Sequence, residues 1–378
     1  MPQSEIIIQE RYLAGNPIRI SLSPRLDQSA QYRIYEAGNL TKPIFSGIGY
    51  QPDEFNWVEV NISSLFSQLR SEAGVKRYYI ALVNASNMEY GGTYFDVYGG
   101  GISKLLYRQL NTESIFSTKL KNTNENFFLT TRTNGNQICI PENELGWLFY
   151  YAKGHKLYVK VDGVTLATYD HSANITDSLT WLYLPTLRMK AVTDLNKWVS
   201  EFEIHSDNGY ACSILITESK QKSDYALMFR NSWGAWESIS IEGEIEFTPK
   251  FDEKPKIAEF DLSILDFVKK PQRKELSSIY TAELGYKTDD ERLFLLDMLQ
   301  SDQVYFQVSG VNYAAGVSSS TSAFVNTKAE PTSINVTIEL LDSDTNYSPI
   351  MEEANFNLLA NNNGEEISTS TEADILIQ

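Results

Sequence analysis

The chain has 378 residues, and its 32 Lys plus Arg against 49 Asp plus Glu give a formal net charge of −17. That balance argues against broad binding to nucleic acid or to an anionic membrane, both of which need a positive surface. Hydrophobic residues at 42% suffice for real cores, whereas three His and two Cys leave little for a zinc cluster, a disulfide scaffold or a His relay.

At roughly 100–200 residues per domain, the length implies two to four domains. The 22 Tyr, 18 Phe and 6 Trp suit strands, where an amphipathic ring packs on a half-buried face. The N-terminus lacks a basic start followed by an apolar core, so no secretory signal is expected and synthesis is assigned to a cytoplasm. No stretch approaches the roughly 18 apolar residues of a membrane span.

In chain order, alternating runs at 18–22, 31–36, 57–62 and 78–83 predict strands, and 63–70 predicts a short helix stopped near Gly74. Gly99, Gly100 and Gly101 are not followed by a Lys-Ser or Lys-Thr helix start, so they suit a tight bend or close backbone approach rather than a phosphate cradle. A first boundary is placed near 105. In the next region KLYVKVDGVTLATYD predicts a hairpin with Leu157, Val159 and Val161 on one face and Asp162-Gly163 in the turn. A second boundary is placed near 195, before strands that begin at Trp198. Cys139 and Cys212 sit in apolar strand-like runs and are expected to be buried free thiols.

Residues 249–256 read as a long loop or turn. Thr288 and Glu291 have capping-box spacing for a helix over 289–300, whose Leu295, Leu296 and Leu299 form a stripe widened by Phe294 and Met298. A strand over 303–308 follows. From Met351 onward the chain carries Glu and Asp but no Lys or Arg, which suggests an acidic tail that orders against a partner. The expected fold class is mainly β, with tandem antiparallel β-sandwich domains and one or two short helices. The divisions are 1–105, 106–195, 196–350 and the tail 351–378.

No constellation of catalytic residues emerges. His155, His171 and His205 lack metal-ligand spacing, no GxSxG elbow occurs, and acidic pairs such as Glu142 and Glu144 arise by chance in so acidic a chain. Asp342, Asp344, Asn346 and Glu353 fall at positions 1, 3, 5 and 12 of a calcium loop. Tyr347 replaces the required Gly, however, and the preceding run alternates like a strand, so a polar turn is preferred. No catalytic, cofactor-binding or metal site is therefore assigned, and ligand-binding residues stay open. The aromatics of the middle region, Trp147, Tyr150, Tyr151, Tyr158, Tyr169, Trp181 and Tyr183, serve either as core or as an exposed glycan platform.

Two segments carry a resemblance. YALMFRNSWGAWESISIEG, with Asn231, Ser232, Gly234, Trp236, Glu237 and Gly243, and the helix-to-strand run over 280–308 completed by INVTIELLDSDTNYSP, resemble tail-associated structural proteins of Bacteroidetes phages and prophages. The likeness covers roughly 200–350, with a weaker one at the Asn16-Pro17-Ile18 start. It departs from the pattern at 324–329, where the basic stretch is reduced to Lys328. The resemblance implies a non-enzymatic virion component of a phage tail or baseplate, made in the host cytoplasm. Its partners would be other tail proteins and further copies of itself as a homo-oligomer. A carbohydrate-binding or adhesion module contacting a host surface glycan is the alternative.

Overall fold

The computed structural model describes residues 6–23, 29–50, 57–102, 127–134, 137–174, 176–207, 209, 211–219, 224–252, 257–270, 275–286, 289–319 and 333–341. The fold is mainly β, and its chain divides into two compact units. The first comprises Met1–Gln221, Met228–Ile239 and Lys287–Gln303; the second comprises Lys222–Leu227, Ser240–Tyr286 and Val304–Gln378.

The first unit opens with a β-sandwich. One sheet joins Ile6–Ile7, Arg19–Leu22 and Val58–Asn61; the other runs Arg11–Leu13, Glu89–Tyr98, Val75–Val83, Ser29–Glu36, Phe45–Tyr50. Alternation dictates the core: Ile18, Ile20 and Leu22 are fully buried and share one cluster with Ile34, Val58, Ile80 and Val97. Residues Ser63–Ser71 wind as a 3-10 helix, which drives Phe66 into that core with its ring 4.7 Å from Tyr78 and 6.1 Å from Phe95. Burial pushes the Tyr78 hydroxyl up to about 12.

A second sandwich follows in the same unit. Its larger sheet orders the strands Thr133–Asn134, Gln137–Pro141, Ala211–Thr217, Glu201–Ser206, Lys156–Val161 and Val164–Asp170. The smaller sheet orders Ser178–Tyr183, Trp147–Ala152 and Phe127–Phe128. The expected hairpin is present: Leu157, Val159 and Val161 are buried, and Asp162 and Gly163 take φ of 49° and 76°, as a two-residue turn of this hand requires. The boundary read near 195 falls at the end of a helix, and the strands 201–206 and 211–217 continue the sheet already begun. Within these two sandwiches Arg11–Leu13 pairs with Glu89–Tyr98, and Gln137–Pro141 with Ala211–Thr217, in parallel.

The helix α1, Leu184–Leu195, is an addition to the sequence reading. Pro185 near its start has the φ of a first helical turn, Asn196 closes it in the left-handed region at φ 51°, and Leu184, Leu187 and Ala191 pack on the core. The helix α2, Asp289–Leu299, matches its expected span. Phe294, Leu295 and Met298 are buried, while Leu296 and Leu299 lie half-buried at the margin of the stripe. Thr288, its expected cap, lies outside the described residues.

The second unit holds an antiparallel series in the order Val304–Val308, Val311–Ser319, Ser333–Leu340, Glu275–Tyr286, Ile245–Asp252. Phe306 anchors its core, with ring centroids 6.0 Å from Tyr225 and 5.1 Å from Tyr280. The loop expected over 249–256 is corrected in its first half: 249–252 finish the strand Ile245–Asp252 opposite Ser278 to Glu275. This strand ends the series, so Pro249 lacks its N–H where an edge tolerates the loss. Ile257–Asp261 and Asp266–Lys270 form a separate two-stranded hairpin.

Candidate functional site

Asn231, Ser232, Gly234, Trp236 and Glu237, which carry part of the sequence resemblance, lie in and beside a turn of the first unit and are occupied with structure. Asn231 is buried; its Oδ1 accepts from the backbone N–H of Trp233 and Ala235, both at 3.0 Å. Its Nδ2 donates to Leu129 O at 2.8 Å and to Glu237 Oε2 at 3.1 Å. One side chain therefore closes its own turn and ties it to the end of the strand Phe127–Phe128. Ser232 presents its N–H to Asp297 Oδ1 of α2 at 2.8 Å, and Thr131 donates to Asp297 Oδ2 at 3.0 Å. Burial raises the Asp297 carboxyl.

Glu237 lies half-buried at the centre. Its carboxyl meets the Thr130 hydroxyl and the Asn231 amide, and desolvation lifts it to about 7 against the opposing pull of Arg132. Arg132 reaches Glu144 Oε2 at 2.6 Å and the Ser238 carbonyl, with its guanidinium 3.7 Å over the Phe294 ring. Trp236 faces the other way, under the Arg230 guanidinium at 4.5 Å. In the second unit Gly243 donates to Glu283 O at 2.9 Å, and a Cβ there would stand 2.6 Å from Glu283 Cβ.

The three consecutive glycines serve close backbone approach, as read. A Cβ on Gly99 would fall 1.8 Å from Glu72 O, and one on Gly100 would fall 2.4 Å from Ser232 O. Gly101 N–H donates to Ser232 O at 2.7 Å, and Ala73 N–H to Gly234 O at 2.9 Å. Asn16 works similarly: buried, it exchanges bonds of 2.9 Å with the backbone of Ile102 in both directions.

The seven middle-region aromatics divide sharply. Tyr150 and Tyr151 are core: the Tyr151 hydroxyl donates to Gly74 O at 2.7 Å and accepts from Gly74 N–H at 2.9 Å. Tyr151 also stacks edge-on with Tyr98 at 5.2 Å, and the Tyr98 hydroxyl bonds Asp177. Burial pushes all three of these hydroxyls up. Tyr158 and Tyr169 are half-buried. Trp147, Trp181 and Tyr183 remain open, at 50%, 49% and 39% exposure.

Register explains that division. Trp147 pairs with Tyr183, Phe149 with Trp181 and Tyr151 with Leu179, so all six side chains share one face of the smaller sheet. At one end Phe149, Tyr151 and Leu179 are covered by a cluster containing Leu13, Tyr98 and Trp233. At the other end the Trp147 ring lies 4.3 Å from Tyr183 at 34° and 5.8 Å from Trp181 at 82°. The three rings therefore form an open corner rather than a flat shelf. Such a corner offers π faces and polar ring tips together, a combination that stacks well on the C–H face of a sugar.

The other sequence candidates are placed as follows. Cys139 and Cys212 are thiols in neighbouring strands, half-buried rather than buried as expected. His171 contacts the Tyr150 hydroxyl at 3.0 Å, burial pushes its imidazole pKa down, and its backbone N–H donates to His155 O at 2.9 Å. His155 and His205 lie 3.7 and 3.5 Å from Asp207 and Glu203. Glu142 pairs with the buried Arg188 at 2.7 Å, and Glu144 with Arg132. Among the described residues no cluster of three or more His, Cys, Asp or Glu is placed to hold a metal. Nor is any helix of theirs long and apolar enough to cross a membrane. The calcium-loop positions, Lys328 and the acidic tail lie outside the described residues.

Sequence reasoning missed two exposed features. Trp198 is 60% exposed, with the Arg188 guanidinium 3.9 Å from its ring. The hairpin Ile257–Asp261 with Asp266–Lys270 exposes Phe260, Leu262, Ile264, Leu265 and Phe267, reaching 80% at Leu262. The run DLSILDF was its signal, because three aliphatic residues inside a turn are unusual where turns are polar.

No protein-family model matches the chain, and no curated protein matches it. Among solved structures it is similar to the fibronectin(III)-like modules of Clostridium thermocellum CbhA, at 12% identity and a TM-score of 0.16, over 57% of this chain and 95% of that one. A TM-score this low adds nothing to the fold described above.

Proposed function

We propose that this protein is a non-enzymatic structural component of a phage tail or tail tip (baseplate), acting through protein–protein interfaces with copies of itself and with other tail proteins. The observation that carries the reading is the apolar hairpin of the second unit. Five large hydrophobic side chains, exposed by 46% to 80%, stand on a two-stranded element. Such a hairpin is marginal alone, and contiguous exposed apolar surface marks contact sites. The resemblance over 200–350 supplies the kind of particle, and the virion tail is the corresponding location.

The test is light scattering with negative-stain imaging of the purified protein, alone and with co-expressed tail proteins. Closed rings or a defined co-complex, lost in Leu262→Asp/Ile264→Asp, support the reading. Assemblies that survive the double substitution, or none under any pairing, count against it.

A second reading, a carbohydrate-binding or adhesion module, is favoured by the exposed corner of Trp147, Trp181 and Tyr183. Titration of host surface polysaccharide against Trp fluorescence tests it. A saturable change in the native protein that vanishes in Trp147→Ala/Trp181→Ala supports glycan contact. A flat trace across a broad glycan panel removes it.

A further inference from the structure

The turn 231–237 is a joint where several segments of the first unit meet. Its backbone bonds Ala73 and Gly101, Asn231 holds Leu129, and Ser232 holds Asp297 of α2. At its centre the carboxyls of the half-buried Glu237 and Asp297 take their hydrogen bonds, among the described residues, from neutral groups. Glu237 has Thr130 and Asn231; Asp297 has Ser232 and Thr131. The guanidinium of Arg132 acts on Glu237, yet its direct bonds go to Glu144 and to Ser238 O. Arg230, on the same hairpin as Glu237, covers Trp236 and donates to Gly234 O. With Glu144, Glu237 and Asp297 all ionised, the joint would hold a net negative charge with the direct ion pair of Arg132 going to Glu144 alone of the three. Desolvated charge of that kind is costly, and the group meets it by keeping a proton.

We infer that Glu237 is protonated in the closed joint, and that its ionisation loosens the clasp between the turn 231–237, residues 129–132 and α2. The fold thus contains an acid-tightened joint. Glu237 is the group that holds the proton because its carboxyl is met by a hydroxyl and a side-chain amide, so that a protonated Oε1 can donate to Thr130 Oγ1 while Oε2 still accepts from Asn231. Asp297 has the backbone N–H of Ser232 besides two hydroxyls, a donor set suited to a carboxylate. Desolvation lifts the Glu237 carboxyl to about 7, which agrees with this assignment.

The sign follows from linkage. A carboxyl that binds its proton more tightly folded than unfolded stabilises the fold at low pH, and that contribution is lost as pH rises through the folded value. Glu237→Gln copies the protonated form, because its amide donates to Thr130 and its carbonyl accepts from Asn231. The experiment compares melting temperatures of the full chain and of Glu237→Gln from about pH 5.5 to about pH 8.5. The native protein is expected to lose melting temperature relative to Glu237→Gln across that interval, with the two converging at the acid end. Parallel curves overturn the inference, as does a slope removed by Asp297→Asn but kept in Glu237→Gln. Should Glu237→Gln fail to fold, infrared difference spectra of the native protein decide. A protonated-carboxyl band that titrates away near neutrality supports the inference, and its absence at the acid end refutes it.

Discussion

The turn around Asn231 and the corner around Trp147 present opposite uses of residues that look alike in sequence. Asn231, Ser232 and Glu237 are polar, yet their hydrogen bonds are made to neighbouring segments inside the first unit. Trp147, Trp181 and Tyr183 are the large apolar residues expected in a core, yet they stand half-exposed on a sheet face. A motif rich in polar side chains can thus be wholly architectural. Strand aromatics, the most ordinary material of a β protein, can be what is left for recognition.

The strongest way to sharpen this contrast is to break the joint sterically. Gly99→Ala sets a Cβ 1.8 Å from Glu72 O, backbone that cannot swing aside. A loss above about 3 kcal/mol, or no soluble protein, is expected in denaturant titration and expression yield. Melting close to that of the native protein would mean the backbones are not in contact.

Asn231→Ala removes four hydrogen bonds at once and strands the buried N–H groups of Trp233 and Ala235. The expected cost is roughly 2–4 kcal/mol by chemical denaturation. Asn231→Asp is a finer probe: it keeps the acceptor but adds a carboxylate beside Glu237, so its penalty should grow as pH rises through neutrality. A penalty independent of pH would separate Asn231 from the proton equilibrium.

Tyr151→Phe is milder. It removes one hydroxyl that both donates to and accepts from Gly74 while keeping the ring against Tyr98. About 1–2 kcal/mol should be lost, with no effect on any glycan or assembly readout. At the small end, Trp147→Ala or Trp181→Ala should change stability by less than about 1 kcal/mol, because half of each ring is already in water. A cost as large as that of a core ring would show that the corner is a packing element, and the comparison would collapse.

Much of the architecture was legible from periodicity. Leu157, Val159 and Val161 alternate around an Asp-Gly turn, and that local pattern has only one good solution. The span of α2 was readable from its stripe, and the three glycines from their lack of any phosphate-loop context. Helix α1 was not, because its apolar positions Leu184, Leu187 and Ala191 follow directly on a strand that also reads as apolar. The continuation of the middle sheet beyond 195 was equally hidden, since pairing of the strand Ala211–Thr217 with Gln137–Pro141 joins residues far apart in sequence.

For the candidate sites the divide is sharper still. The amino-acid sequence alone determined the β class, the acidic charge, the principal hairpin and the list of aromatics, because these depend on composition and on neighbours a few residues apart. Only the tertiary structure decided that Tyr151 is buried and Trp147 open, although both point to the same face of one strand. It likewise decided that Glu237, Asp297, Glu144 and Arg132 share one interior. Exposure and acidity are set by what packs across a face from distant segments, and no local pattern encodes that.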